Sequence, residues 1–348
     1  MSATMRDVAR LAKVSIKTVS NVVNDYPHIR PETRARVEAA IEALGYRPNL
    51  SARGLRSGRT RVIGLAVPEL RQNYFAELAD SVIAAAEERQ LSVVVGQHGG
   101  DRERETAILR EGLRHTDGLL FSPERLGQED QELFEVDYPL VLLGERIFGA
   151  PADHVAMHNT SAAQAAVEHL IERGRRRIAL VGAHPDGRLG QVRPSDLRLA
   201  GYRRALTEAD IPLDPTLERP VAPWHPQNGV DATRELIASG VEFDAVFALN
   251  DTLALGVLRA LAEAGIAVPD QVAVIGFDNI DDGRFTVPSL STVDTGRDDI
   301  AALAVAMLAE RIENGTAAQP ARLVKTDFRI VARESTGTFE ADPTDVGD

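Results

Sequence analysis

The chain has 348 residues, a mass of 37.7 kDa and 44% hydrophobic residues, enough for two or three cored units at about 100 to 200 residues each. No run approaches the roughly 18 uninterrupted apolar residues of a membrane helix, and the absence of cysteine excludes a disulfide framework, a thiol nucleophile and a thiolate metal site. The start, Met1 to Lys13, carries Arg6, Asp7, Arg10 and Lys13 in place of an apolar leader, so a cytoplasmic protein is expected.

A net charge of −13 argues against nucleic acid only if it is spread evenly, and it is not. Residues 1–61 hold 12 Lys+Arg against 5 Asp+Glu, leaving 27 against 47 for the rest, a basic head of +7 on an acidic body of −20. A polyanion attracts the head and repels the body, which confines and orients contact.

Residues 1–46 read as three short helices. Thr4 and Asp7 form a capping-box pattern before Val8, Leu11 and Ala12. Ser15 can cap a second helix that buries Val19, Val22 and Val23 and leaves Ile16, Lys17, Thr18 and Asn21 at its start and outer face. A third begins at Pro31, buries Val37, Ala40, Ile41 and Leu44, and stops at Gly45. Two helices joined by a tight turn, the second with a polar start, suit entry into a DNA major groove. There Lys17 can donate to guanine, Asn21 can pair with adenine, and Ile16 can touch a thymine methyl. An ordinary solvated helix face fits the same spacing.

Residues 47–61 change character, with five arginines, Pro48, Gly54 and Gly58. Asn49 could cap a short helix carrying Ala52, Arg53, Leu55 and Arg56, but two turns with an internal glycine are too weak to hold alone. The segment is a hinge that needs partners to fold, or else a flexible tether.

From Val62 short apolar runs alternate with amphipathic stretches: VIGLAVP at 62, LSVVVG at 91, GLLFS at 118, PLVLLG at 139, RIALVGA at 177, AVFALN at 245 and VAVIGFDN at 272. Runs apolar on both faces predict strands covered by helices, hence α/β architecture with doubly wound parallel sheets. The length suggests two lobes, one of about 62–158 and 289–318, the other of about 159–288 and 319–333. LSTVDT should return to the first lobe, RLVKTDFRIVAR should join the second, and 334–348 should be a disordered tail.

The stretches TMRDVARLAKVSIKTVSNVVND and RPETRARVEAAIEALGYRPNLSARGLRSGRTRVIGL resemble the LacI/GalR family of bacterial transcriptional regulators, and the likeness runs to about Arg333. It implies a helix-turn-helix head, a hinge helix and a two-lobed core like that of periplasmic binding proteins. Ile16, Lys17 and Asn21 match base-reading positions, while Thr4, Ser15, Thr18, Ser20 and Asn24 fall among backbone-contacting or capping ones. The hinge residues Asn49, Ala52 and Leu55 are implied to reach the minor groove, with Leu55 as a wedge between base pairs. Two departures stand out: Lys13 replaces a turn glycine, and Arg30 replaces a capping serine, so the third helix should fray more.

In parallel sheets ligands bind beyond the carboxyl ends of the strands. Glu145 and Arg146, Asn250, and Asp278 fall there, and Arg198 and Trp224 can clamp and stack a sugar or polyol. The segments DLRLAGY, FALNDTLALG and VIGFDN resemble the family's effector-pocket segments and imply contacts from Arg198, Asn250 and Asp278. Tyr74 and Phe75 match the first lobe's share, Trp224 matches a cleft-wall aromatic, and Glu145 is a weaker match. Read without the resemblance, Asn250 or Asp278 could simply cap a helix, and Trp224 could plug a loop. His158 departs from the family's usual acidic residue, and the eight histidines do not cluster, so no metal or cofactor is expected.

An enzyme finds no P-loop, dinucleotide fingerprint, GxSxG elbow or HExxH. A periplasmic transport protein would share the body but needs a leader where this chain has its head. A body answering to a protein partner conflicts with Arg198, Asn250 and Asp278. The expectation is a homodimeric, bacterial, nucleoid-associated regulator, a repressor, reading pseudo-palindromic operator DNA under control of a small sugar-like effector.

Overall fold

The computed structural model describes residues 3–23, 26–46, 59–184, 192–315 and 320–337. The chain divides into two compact units, Met1–Thr60 and Arg61–Asp348.

In the first unit, α1 (Met5–Ala12), α2 (Ile16–Val23) and α3 (Pro31–Leu44) enclose Val8, Ala9, Ala12, Val19, Val22, Val37, Ala40 and Tyr46. The Thr4 capping box forms: Thr4 N–H donates to the Asp7 carboxylate at 3.0 Å, and Asp7 N–H donates to Thr4 Oγ1 at 3.4 Å. Ser15 Oγ accepts from Thr18 N–H at 3.0 Å and starts α2. Between them Lys13 adopts a left-handed conformation, φ 53° and ψ 49°, so the turn keeps the glycine geometry without the glycine. Val14 N–H closes it onto Ala9 O at 3.0 Å. Arg30 makes no side-chain cap to α3, and Gly45 ends that helix at φ 56°. Leu11 and Leu44, read as core by their spacing, are exposed, because three short helices offer too little volume to cover them.

The second unit holds two parallel sheets. The first contains β1 (Val62–Val67), β2 (Ser92–Gln97), β3 (Leu119–Phe121), β4 (Leu140–Leu143), β5 (Asp153–Ala156) and β11 (Leu323–Lys325), in the order β11-β5-β4-β3-β1-β2. The second contains β6 (Ile178–Ala183), β7 (Glu218–Pro220), β8 (Ala245–Ala248) and β9 (Ala273–Ile275), in the order β7-β6-β8-β9. Helices α4 (Asn73–Glu88) and α5 (Arg102–Glu111) belong to the first lobe; α6 (Asn159–Glu172), α7 (Pro194–Glu208), α8 (Pro226–Ala238) and α9 (Asp251–Glu263) belong to the second. Small residues set the helix spacing. A Cβ on Gly201 of α7 would lie 2.2 Å from Thr160 O of α6, and one on Gly256 of α9 would lie 2.1 Å from Pro226 O of α8.

Several expectations are corrected. LSTVDT does not enter the first sheet: β10 (Thr292–Asp294) pairs antiparallel with β12 (Arg329–Val331), and Ser291 bridges to Ile275 of the second sheet. The following helix, α10 (Arg297–Asn314), does return to the first lobe, packing on α4 and on β3 to β5. RLVKTDFRIVAR is two strands. Its first half, β11, extends the first sheet beside β5, where the buried Asp153 carboxylate binds both Arg311 and Arg322 at 2.8 Å. Thr326 breaks the run, its hydroxyl donating to Thr295 O at 3.0 Å.

β2 is an edge strand exposed at alternate residues, not a strand covered on both faces. Residues 334–337 are not a free tail either: Ser335 and Thr336 are buried, and Ser335 Oγ donates to Val274 O at 2.6 Å, because the backbone beside β9 lacks a further strand partner. Residues 338–348 lie outside the described residues.

Candidate functional site

In the head, the outer face of α2 presents Ile16, 40% exposed, and Lys17, also exposed, while Asn21 is half-buried. Exposing a large aliphatic residue at the first position of a helix has no folding benefit. Thr18 spends its backbone N–H on the Ser15 cap and exchanges a hydroxyl bond with Ser15 at 2.8 Å, so both serve the helix start. Thr4 likewise caps α1. Asn24, Asn49, Ala52 and Leu55, and with them the hinge helix, lie outside the described residues.

In the second unit, the carboxyl ends of the strands of both sheets open onto one cavity of about 770 Å³, within the range of small-molecule sites. All seven residues singled out from the sequence line it: Tyr74, Phe75, Glu145, Arg198, Trp224, Asn250 and Asp278. They arrive from the start of α4, the turns after β4, β7, β8 and β9, and the first turns of α7, as the strand-end rule requires.

At the centre is Arg198, 4% exposed. Its Nε donates to Asn159 Oδ1 at 2.6 Å, its Nη2 donates to Asp278 Oδ1 at 3.3 Å, and Nη1 donates to Leu249 O. The guanidinium lies 3.6 Å from the Phe277 ring centroid and 5.6 Å from that of Trp224. The Trp224 indole N–H donates to Gly182 O at 3.0 Å, which fixes the ring as a wall. Asn250 does cap α9, accepting from Leu253 N–H at 2.8 Å, and still borders the cavity. Tyr74 and Phe75 meet edge to face at 5.3 Å.

Burial shapes the acids. Desolvation pushes the Asp278 carboxyl up to about 6, against the opposing pull of Arg198. It pushes Glu145 up to about 7, although Glu145 accepts from Met157 N–H and from the Asn159 amide. Asp278 and Asn279 are left-handed, φ 109° and 50°, a strain of about 1 to 3 kcal/mol per residue that persists only where the surroundings impose it. Asp278 N–H is held by Val293 O at 2.9 Å, and Asn279 Oδ1 by Arg333 at 2.9 Å.

Sequence reading missed Asn159, Phe277 and the latch between Glu69 and His225, 2.5 Å apart on the cavity wall and contributed by different lobes. Asn159 stands directly after β5, which was the available signal. His158 contributes a half-buried ring 6.1 Å from Phe328. Among the described residues no group of three or more histidines and carboxylates could hold a metal, and no helix is long and apolar enough to cross a membrane.

Residues 4–49 match the family model for bacterial regulatory proteins of the lacI family, and residues 167–336 match that of the periplasmic binding protein-like domain. Catabolite control protein A of Priestia megaterium is 31% identical over 97% of this chain and 100% of its own length. The chain belongs to the LacI family. As a LacI-family member it is a DNA-binding transcriptional regulator rather than an enzyme. Among solved structures, the CelR–cellobiose complex is 31% identical, with a TM-score of 0.67 over 96% of this chain and 99% of that one. The lac repressor dimer bound to operator and the anti-inducer ONPF is 27% identical, with a TM-score of 0.80 over 97% and 99%.

Proposed function

We propose that this LacI-family protein is a cytoplasmic, nucleoid-associated repressor that binds a pseudo-palindromic operator as a homodimer and responds to a small sugar-like effector in the cleft. The observation that carries the sensing role is the pre-assembled floor of Arg198, Asn159 and Asp278 beneath the Trp224 wall. A planar donor fork, an amide and a carboxyl beside an aromatic face suit a polyol, which needs donors and acceptors on its edge and an apolar surface under its ring. Both lobes contribute, so a ligand that touches both favours one lobe arrangement by its differential affinity.

The head reads bases through Ile16, Lys17 and Asn21, with Thr4, Ser15, Thr18 and Asn24 at caps and backbone contacts. One head makes few base contacts, so two half-sites are required. The hinge residues Asn49, Ala52 and Leu55 order in the minor groove and transmit the state of the body. Tyr74, Phe75, Glu145 and Asn250 complete the effector site.

Selection from a random duplex library, followed by titration of the selected duplex with a panel of sugars, tests this. The expected result is a two-fold symmetric site whose affinity changes with one sugar; an unselective protein, or one whose affinity ignores every sugar, contradicts it.

A further inference from the structure

The segment that leads from β1 into α4, residues 69–77, is tied to the second lobe at both of its ends. At one end Glu69 Oε1 and His225 Nε2 lie 2.5 Å apart, with side chains 26% and 23% exposed. At the other, Asn73 Nδ2 donates to Asp282 Oδ2 at 2.5 Å, and Glu77 Oε1 accepts from Asp281 N–H at 3.0 Å. His225 stands beyond β7 and the two aspartates beyond β9, the outer strands of the second sheet. Tyr74 and Phe75, which line the cavity, fall in sequence between the two ties.

Local structure is given up to make the first tie. Gln72 occupies the N-cap position of α4 and caps nothing; its amide donates instead to Glu69 Oε1 at 3.0 Å. A helix start normally gains from a capping side chain, so this residue is spent on orienting Glu69. On the other side the backbone of His225 is fixed. Its N–H donates to Pro223 O at 3.1 Å, and its carbonyl accepts from Asn228 N–H at 3.0 Å in the first turn of α8. Helix α8 lies in backbone contact with α9, where a Cβ on Gly229 would come 2.4 Å from Leu253 O. Glu69 is therefore fastened to a rigid body, at the residue that follows Trp224.

We propose that residues 69–77 are a strap across the cleft, held shut by the Glu69–His225 and Asn73–Asp282 pairs, and that Glu69 and His225 are positioning residues that set ligand access to the cavity. Both ties join side chains that water reaches, so each opens at small net cost. Opening one leaves the other in place, and the strap swings from the end that stays tied. A ligand enters past the released Glu69, and closure over it holds Tyr74 and Phe75 toward the second lobe, which couples occupancy to lobe arrangement. The strap acts on any ligand of the cleft, whatever its chemistry, and so stands apart from the sugar reading.

Trp224, the only tryptophan of the chain, borders the cavity beside His225 and reports on the strap without a ligand. Quenching of its fluorescence by acrylamide, a neutral molecule, is measured in the full-length protein. Glu69→Ala and His225→Ala should each raise the quenching constant about twofold or more, as local opening exposes the cavity. The double variant should go no further than either single one, as one shared contact requires. His225→Gln, whose amide can still donate to Glu69, should stay near the wild type. Asp282→Ala added to Glu69→Ala frees both ends and should exceed Glu69→Ala alone.

Wild-type quenching in both alanine variants overturns the strap. So does a Glu69→Ala value that Asp282→Ala leaves unchanged. General loosening of the lobe looks different: it lowers Tm and raises quenching in His225→Gln as much as in His225→Ala, and that result also counts against the strap.

Discussion

The guanidinium of Arg198 stacks 3.6 Å from the ring centroid of Phe277 while its Nη2 reaches the carboxylate of the next residue, Asp278, at 3.3 Å. One side chain thus covers an aromatic face and neutralises a buried acid. Arg198→Ala leaves Asp278 and Asn159 without their donor, and breaking such a buried pair costs about 3 to 5 kcal/mol. Urea unfolding should show that loss for the single variant. The double variant Arg198→Leu/Asp278→Asn should recover much of it, since no unpaired charge remains and asparagine tolerates the left-handed backbone at that position; equal losses would show that the ion pair is not what the site depends on.

Lys13 holds a left-handed turn with φ 53° between α1 and α2. A side chain in that conformation costs roughly 1 to 2 kcal/mol, against which glycine pays a larger unfolded-state entropy. Lys13→Gly should therefore stabilise the head by a few tenths to about 1 kcal/mol. Protease resistance of the head at rising temperature reads this out. A destabilised variant would mean that the lysine side chain, exposed as it is, makes contacts worth more than the strain.

How much of this was legible in the sequence depends on the range of the forces involved. Six of the seven apolar runs mark strands because burial on both faces leaves a local signature, the edge strand β2 being apolar without that cover, and residues that follow such strands reach the cleft because parallel strands share a direction. β5 and β7 escape that reading: DHVA is half polar and ERP ends in proline, and both are strands only because a neighbour offers its edge. The division of RLVKTDFRIVAR follows from Asp153 drawing Arg322 to the first sheet, a contact across 169 residues. Asn159 was visible only as a boundary residue, since its role requires Glu145 and Arg198 to arrive from either side. The left-handed turn at Asp278 and Asn279 is likewise invisible, because the sequence offers no glycine there.

Phe285 and Val287 are 78% and 96% exposed, beside the short 3-10 turn Asp281–Phe285 of the second unit. Large apolar side chains left so open on a loop are costly unless another surface covers them. In the dimeric reading proposed above, the second copy supplies that surface. Phe285→Asp should shift the protein from dimer to monomer in sedimentation velocity and weaken operator binding, because half-sites are then bound singly. A variant that sediments as a dimer places the contact elsewhere.

Asp251, fully buried at the start of α9, accepts from Thr292 Oγ1 at 2.7 Å and from Ile280 N–H at 2.9 Å. Burial pushes its carboxyl from the ordinary 3.8 up to about 8, with the charge of Asp278 adding to the rise. Between those values the folded protein retains a proton that the unfolded chain has released, so the contribution to stability is complete below 3.8 and is lost as pH rises through 8. Glu145, raised to about 7, and Asp278, raised to about 6, slope the same way, whereas His169, lowered to about 4 by burial, acts in the opposite direction on the acid side. Asp251→Asn removes one of these contributions and leaves the others. Its Tm relative to the wild type should therefore climb from pH 5 to pH 8.5, with the Thr292 hydroxyl able to donate to the amide oxygen or accept from its nitrogen. A difference in Tm that stays constant across that range would mean Asp251 is ionised in the folded protein throughout.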